Sequence, residues 1–223
     1  MDVNVFKEPK GFIKFLEIIM AILAFATVSG FSQTIQFNYQ CNMTTMNSIP
    51  INYPFAIDSY KFVISLCNET KKTTSLDGNY VSQSQFFVFV GVFTLLYSIF
   101  SCIFYLFYHE NMLSNNKLIL TEFVISCVLT FFWLVGSSVW AGTVGEIKYY
   151  TSREHIFQHL KVCQVTNSCR MIQEGVYGIL SASIVAGFTC FLLWASNIWF
   201  LRRDTPCLRH RYSVEVEPIL PQS

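Results

Sequence analysis

The sequence predicts an all-α membrane protein in which four helices cross the bilayer and two disulfide-stapled lumenal loops join their ends. Three observations carry that expectation. Four apolar runs are long enough to span hydrocarbon, charge is scarce, and the cysteine pairs and glycosylation sequons fall between the runs. Hydrophobic residues make up 52% of the 223 positions, Phe alone accounts for 22, and only 13% are charged. A soluble domain of this size carries about a quarter charged residues. The net charge of +1 gives no basic surface for nucleic acid.

The runs are Phe12–Phe31, Phe86–Tyr108, Leu118–Ala141 and Tyr177–Leu201. Each passes the length of roughly 18 apolar residues that a spanning helix needs. The opening MDVNVFKEPKG lacks the small-residue cleavage site of a signal peptide, so the first run is expected to be retained as a span. His109–Lys117 is short, which makes the second and third spans an antiparallel hairpin. The first loop, 32–85, is long, polar and rich in Thr, Asn, Ser and Tyr, and its alternating stretch Tyr60–Leu66 reads as a strand. The second loop, 142–176, has mixed charge. Residues 1–11 form a short N-terminus, 12–204 one four-span domain, and 205–223 a short polar tail that carries Pro206, Pro218 and Pro221.

Orientation follows from Lys and Arg near the span ends. Lys7, Lys10 and Lys14 lead into the first span, and Arg202, Arg203, Arg209 and Arg211 follow the fourth. Lys71, Lys72, Arg153 and Lys161 weaken that contrast but lie farther from the apolar cores. Both termini are therefore expected in the cytoplasm. The sequons Asn42-Met43-Thr44 and Asn68-Glu69-Thr70 fall in the first loop, each directly after a cysteine, and agree with that orientation.

Cys41 and Cys67 share the first loop, and Cys163 and Cys169 the second. In an oxidising lumen each pair is expected to close within its loop, although four cysteines also allow cross-loop pairing. The chain-entropy model gives about 3–4 kcal/mol for the longer ring and about 2–2.5 kcal/mol for the shorter. Cys207 lies among arginines just past the fourth span and is a candidate S-palmitoylation site. Glu215-Val216-Glu217-Pro218-Ile219-Leu220 has the spacing of a dileucine-type endocytic signal.

Glu17, Glu122 and Asn197 are the candidate intramembrane polar contacts. Carboxylates within a span are by default functional. Here they sit near the ends of their runs, and Lys14 is placed to pair with Glu17 one turn away. Asn197 is expected to make an interhelical hydrogen bond, worth about 0.6 kcal/mol. Small residues recur at four-residue spacing, as in Ala26/Gly30, Ala182/Ala186 and Ser183/Gly187, and Gly136, Ser137 and Ser138 cluster in the third span. They suit close packing within the bundle and between protomers alike. Trp133, Trp140, Trp194 and Trp199 fit an interface belt or the bundle interior.

Enzyme chemistry finds little support. His155 and His159 have i, i+4 spacing without the Glu of a metalloprotease helix, and no phosphate loop, G-x-S-x-G or C-x-x-C appears. No cofactor is expected.

The claudin W-x-x-L-W signature and the tetraspanin Cys-Cys-Gly are both missing from the loops. Six segments, in order, point elsewhere. They are Ala24-Phe25-Ala26-Thr27, Tyr53-Pro54-Phe55, Gln85-Phe86-Phe87-Val88, Phe132-Trp133-Leu134-Val135 running on to Ser137-Ser138-Val139-Trp140-Ala141, Cys163-Gln164-Val165-Thr166 with Cys169, and Trp194-Ala195-Ser196-Asn197-Ile198-Trp199-Phe200. With these the chain, from about Phe12 to Asp204, resembles the synaptophysin, synaptoporin and pantophysin family of the MARVEL-domain group. The resemblance implies a MARVEL bundle with disulfides Cys41–Cys67 and Cys163–Cys169 and a glycan at Asn42. It implies a non-enzymatic protein of small cytoplasmic or synaptic-like vesicles that forms homo-oligomers, contacts membrane lipids including cholesterol, and binds SNARE proteins such as synaptobrevin. The tail lacks the Tyr-, Gly- and Gln/Pro-rich repeats of the longer relatives, so the chain looks like a short-tailed, pantophysin-like member, and functions tied to those repeats are not implied. From another class stands an oligomeric ion channel or transporter-like pore, using Glu17, Glu122 and Asn197.

Overall fold

The computed structural model describes residues 9–40, 44–65, 71–114, 116–160, 163–164 and 169–204. Helix α1 runs over Pro9–Ser29, α2 over Val81–Ser114, α3 over Asn116–Tyr150, α4 over Arg153–His159 and α5 over Gly178–Asp204. α1, α2, α3 and α5 are each long and apolar enough to cross a membrane. α1 packs on α2 and α5, and α3 packs on the same two, so the four make a closed ring of antiparallel neighbours. The chain is a multi-pass membrane protein with four spans.

The inner faces repeat at alternating steps of three and four residues. On α2 the seam is Ser84, Phe87, Gly91, Thr94, Ser98 and Ser101, with Val90 buried beside it. On α5 it is Leu180, Ser183, Gly187, Cys190, Trp194, Asn197 and Leu201, with Ala186 buried beside it, and on α1 Glu17, Ala21, Ala24 and Val28. This is the seam of left-handed, coiled-coil-like packing. The seam holds small and polar residues, whereas the outer face carries Phe89, Phe93, Leu96, Phe100, Ile103 and Phe107 on α2. Lipid is as apolar as Leu and does not drive such residues inward, so small side chains that admit close backbone approach take the interior. Gly187 is one such point, since a Cβ there would lie 2.5 Å from Ser137 Oγ and 3.0 Å from the Phe87 ring. The Gly187 contact is made within one bundle.

α2 and α3 outrun the apolar stretches that announce them, α2 beginning at Val81 and α3 ending at Tyr150. α3 continues because its inner seam does: Trp133, Ser137, Trp140, Val144, Ile147 and then Thr151 are all buried. Its last turns stand above the bundle and are covered by a cap built from the two loops.

The cap corrects the all-α expectation. The bundle is all-α, but its loops hold strands β1 (Ser32–Gln40), β2 (Thr44–Asn52), β3 (Lys61–Ser65), β4 (Lys71–Ser75) and β5 (Arg170–Gln173). An antiparallel sheet in the order β2-β1-β5 joins the first loop to the second, and β3 pairs with β4. The reason is strict alternation. Ile35, Phe37 and Tyr39 of β1 point into the core with Ile49 and Ile51 of β2, while the residues between them face outward. β3 lies within the expected Tyr60–Leu66 stretch and buries Phe62 and Ile64.

The expectation of two stapled loops is corrected as well. Among the described residues one disulfide is found, Cys163–Cys169, just before β5. Cys41 and Cys67 lie outside the described residues, as do Asn42, Asn68, Cys207 and the 215–220 segment.

An aromatic column fastens cap to bundle. Phe31 stacks on Tyr177 and meets Phe55, Phe55 meets Trp140, Trp140 stacks on Phe87, and Phe87 meets Trp133 edge-on. Phe55 holds φ 65°, a left-handed backbone unusual for a side chain of that size. That conformation turns its ring inward, and its carbonyl accepts from Tyr80 N (3.1 Å) just before α2 begins. Ser84 Oγ of α2 donates to Pro54 O at 3.0 Å, a second tie between the Tyr53-Pro54-Phe55 turn and the bundle.

Candidate functional site

Glu17, Glu122 and Asn197 lie at the end of the bundle away from the cap. The spans that hold them run over Phe12–Ser29, Lys117–Tyr150 and Gly178–Arg202. Each polar residue is thus the same distance inside its span, about 7–8 Å at helical rise. Antiparallel connection brings these three depths into one layer.

At its centre is Lys14. Its Nζ lies 3.3 Å from Glu17 Oε2 and 3.7 Å from Glu122 Oε1, so one ammonium bridges carboxylates from α1 and α3. The same Nζ sits over the Trp194 ring of α5, 4.5 Å from its centroid, and 5.9 Å from the Tyr97 ring of α2. A cation over an aromatic face gains about 0.5–2 kcal/mol when shielded from water. All four spanning helices therefore meet on one side chain.

The layer is enclosed. The Glu17 side chain has 0% exposure, Glu122 11% and Lys14 12%. Asn197, 6% exposed, is one turn beyond Trp194 on the buried seam. Asn197 Nδ2 is buried without a hydrogen-bond partner, and so are Trp194 Nε1, Ser98 Oγ and Ser126 Oγ. Sequence reading placed Lys14 and Glu17 on neighbouring turns. It missed Trp194 and Tyr97, whose signal was their position on the inner seams at the same depth.

Two further polar ties use indole N–H groups. Trp133 Nε1 donates to Thr94 Oγ1 at 3.1 Å and Trp140 Nε1 donates to Ser183 Oγ at 2.8 Å, fixing α3 against α2 and α5. Trp194 is likewise buried, whereas Trp199 is 69% exposed on the outer surface, where a membrane-interface belt would place it.

At the cap end, Tyr177 O–H donates to Thr151 Oγ1 (2.7 Å) and Thr151 Oγ1 donates to Ile147 O. Burial pushes the Tyr177 phenol up from its ordinary value, partly offset by the Thr151 bond. Burial, aided by Glu146 and Tyr150, pushes Tyr80 up to about 12. His155 packs its ring on Tyr149 and Tyr150, and His159 Nδ1 lies 3.7 Å from Asp77 Oδ2. Among the described residues no group of three or more His, Cys, Asp or Glu gathers in a way that would hold a metal. A notch of about 420 Å³ between α3, α4 and α5 is lined by Lys148, Arg153, Glu154, Glu174 and Tyr177. Its charges are mixed and no nucleophile with a base stands in it.

The family model described as MARVEL, a membrane-associating domain, matches residues 5–200. The match takes in the first three spans, the cap and nearly all of the fourth span, and the chain belongs to that family.

Proposed function

We propose that this MARVEL chain is a non-enzymatic organiser of small-vesicle membranes. It gathers lipid and partner membrane proteins along its helices during vesicle formation, trafficking and exocytosis or recycling. The observation that carries this reading is the sorting of side chains. Polar groups of the spans are enclosed in the bundle, and the outward faces are broad, apolar and aromatic, as with Phe89, Phe93, Phe100 and Phe107. Such a molecule offers lateral packing surfaces in place of a reaction site. Resemblance to the synaptophysin family adds homo-oligomers, cholesterol and SNARE proteins such as synaptobrevin as its company.

In this reading both termini face the cytoplasm and the cap faces the lumen. The Cys163–Cys169 bond supports that side, because disulfides persist in oxidising compartments. Asn42 and Asn68 would then carry glycans, and Cys207 a reversible acyl chain. A pore between protomers would need an outward polar stripe, and Glu17, Glu122 and Asn197 are turned inward instead.

The test is immunoisolation of the membranes that carry the protein, with co-purifying proteins identified. Enrichment of small-vesicle SNARE proteins supports the organiser. Recovery with cell-junction proteins, or a conductance in planar bilayers that Glu122→Gln abolishes, would overturn it.

A further inference from the structure

The notch at the cap end of α3 lies between α3, α4 and the connection from β5 to α5, with a volume of about 420 Å³. Ligand pockets run from about 300 to 1,000 Å³, so this space suits a small polar group and not a whole lipid or a peptide. Its level is set by Lys148, whose Nζ donates to Ser181 Oγ at 2.9 Å in the first turn of α5. The notch is therefore level with the start of the fourth span, Gly178–Arg202. Lipid headgroups lie at that depth. Exposed Tyr149, Val176 and Ile179 adjoin its residues along the chain, an apolar and aromatic surface of the kind that meets a membrane interface.

Lys148, Arg153, Glu154 and Glu174 line this space, and all four are exposed. Among the described residues none of them forms an ion pair with another. Lys148 uses one N–H on Ser181 and has two more. The Arg153 guanidinium rests over the Phe157 ring, 5.5 Å from its centroid, a contact that uses none of its N–H donors. The floor is fixed in place. Tyr177 stacks on Phe31 and donates to Thr151 Oγ1, and its ring lies so close to Gly175 that a Cβ there would collide with the phenol. Beneath the notch the surface turns apolar. Gly145 and Ala141 lie one and two turns below Lys148 on α3, and exposed Val185 lies one turn below Ser181 on α5. A Cβ at Gly145 would meet nothing within 4 Å, so that strip has room for an acyl chain.

We propose that the notch binds the headgroup of phosphatidylethanolamine from the leaflet on the cap's side. Lys148 and Arg153 take the phosphate, and Glu154 and Glu174 accept from the primary ammonium. A two-carbon link joins those two ends, so one small space meets both. Choline has no N–H for the carboxylates to accept, and a quaternary ammonium is met by a cage of aromatic rings. Tyr177 is the one aromatic ring among the residues that line the notch. A headgroup with net negative charge would leave the two carboxylates facing no cation of the ligand. This site is independent of the vesicle role proposed above.

Native mass spectrometry of the full chain, released from detergent micelles with one added phospholipid of matched acyl chains, counts the bound lipid. The wild type should retain phosphatidylethanolamine about tenfold better than phosphatidylcholine or phosphatidylglycerol, the factor that one charge-assisted hydrogen bond carries. Lys148→Met/Arg153→Gln should lose that retention, and Glu154→Gln/Glu174→Gln should bind the ethanolamine and choline lipids alike. Lys71→Met/Lys72→Met, which removes as much positive charge from exposed positions on β4, should behave as the wild type. Thermal unfolding checks the fold of each variant, and the comparison of lipids on the wild type stands without any of them. Glycerophosphoethanolamine in the water should compete only weakly, since it lacks acyl chains. Equal retention of the three lipids by the wild type would mean annular lipid only and would overturn the site. So would a preference for phosphatidylglycerol, survival of the ethanolamine preference in either double variant of the notch, its loss in the β4 variant, or competition by glycerophosphoethanolamine as strong as by the lipid.

Discussion

Gly187 sits where α5 packs closely against α3. A methyl group there would press on Ser137 Oγ and the Phe87 ring. Gly187→Ala should cost about 1–3 kcal/mol, the usual penalty of overpacking. Gly145→Ala on the exposed side of α3 meets nothing within 4 Å and should be neutral or stabilising by up to about 1 kcal/mol, from helix propensity. Reversible unfolding in mixed micelles measures both, and equal effects would contradict the packing described. Trp140→Phe removes the N–H donated to Ser183 and should cost at least about 0.6 kcal/mol, the mean for intramembrane hydrogen bonds. The buried phenols give a pH signature. Their folded pKa values are raised, so the folded state holds the phenolic proton more tightly than the unfolded one does. Cap stability should be level below the unfolded phenol value near pH ~10 and fall as pH rises beyond it. Tyr177→Phe should flatten part of that fall. At this scale the sequence was informative about Lys14 and Glu17, because helical spacing alone puts them together. It was silent on Trp194 and Tyr97, because contact between helices depends on rotation about axes that one-dimensional hydropathy does not report.

Among the elements, the sheet β2-β1-β5 shows how the two loops become one cap. β5 is short, Arg170–Gln173, and the Cys163–Cys169 ring holds its approach. Opening that ring with Cys163→Ser/Cys169→Ser should cost about 2–2.5 kcal/mol. Hydrogen exchange should quicken at Gln36–Asn38, which face β5, more than along β2, whose pairing with β1 is longer. Uniform loosening of the whole sheet would contradict a local staple. The pattern Ile35-Gln36-Phe37-Asn38-Tyr39 alternates as well, yet in this polar loop only Tyr60–Leu66 was read as a strand. The last turns of α3 were hidden differently. Gly142, Gly145, Glu146 and Lys148 lower the hydropathy, while the buried seam of Trp140, Val144 and Ile147 runs straight through them.

For the molecule as a whole, four apolar spans joined by an aromatic column to a β-rich cap make one unit with an apolar perimeter. Span number was legible because hydrocarbon thickness sets a length that few other sequences satisfy. The cap was less so, since its strands draw their stability from pairing across loops far apart in sequence. An even number of spans requires the N- and C-termini to share a face, with the cap on the other. The direct measurement is protease protection in sealed vesicles of known sidedness, with tags at each terminus and one between β1 and β2. Both terminal tags should be digested together and the cap tag protected, or the reverse in inverted vesicles. Terminal tags of opposite accessibility would mean an odd number of spans and would contradict the four-span bundle.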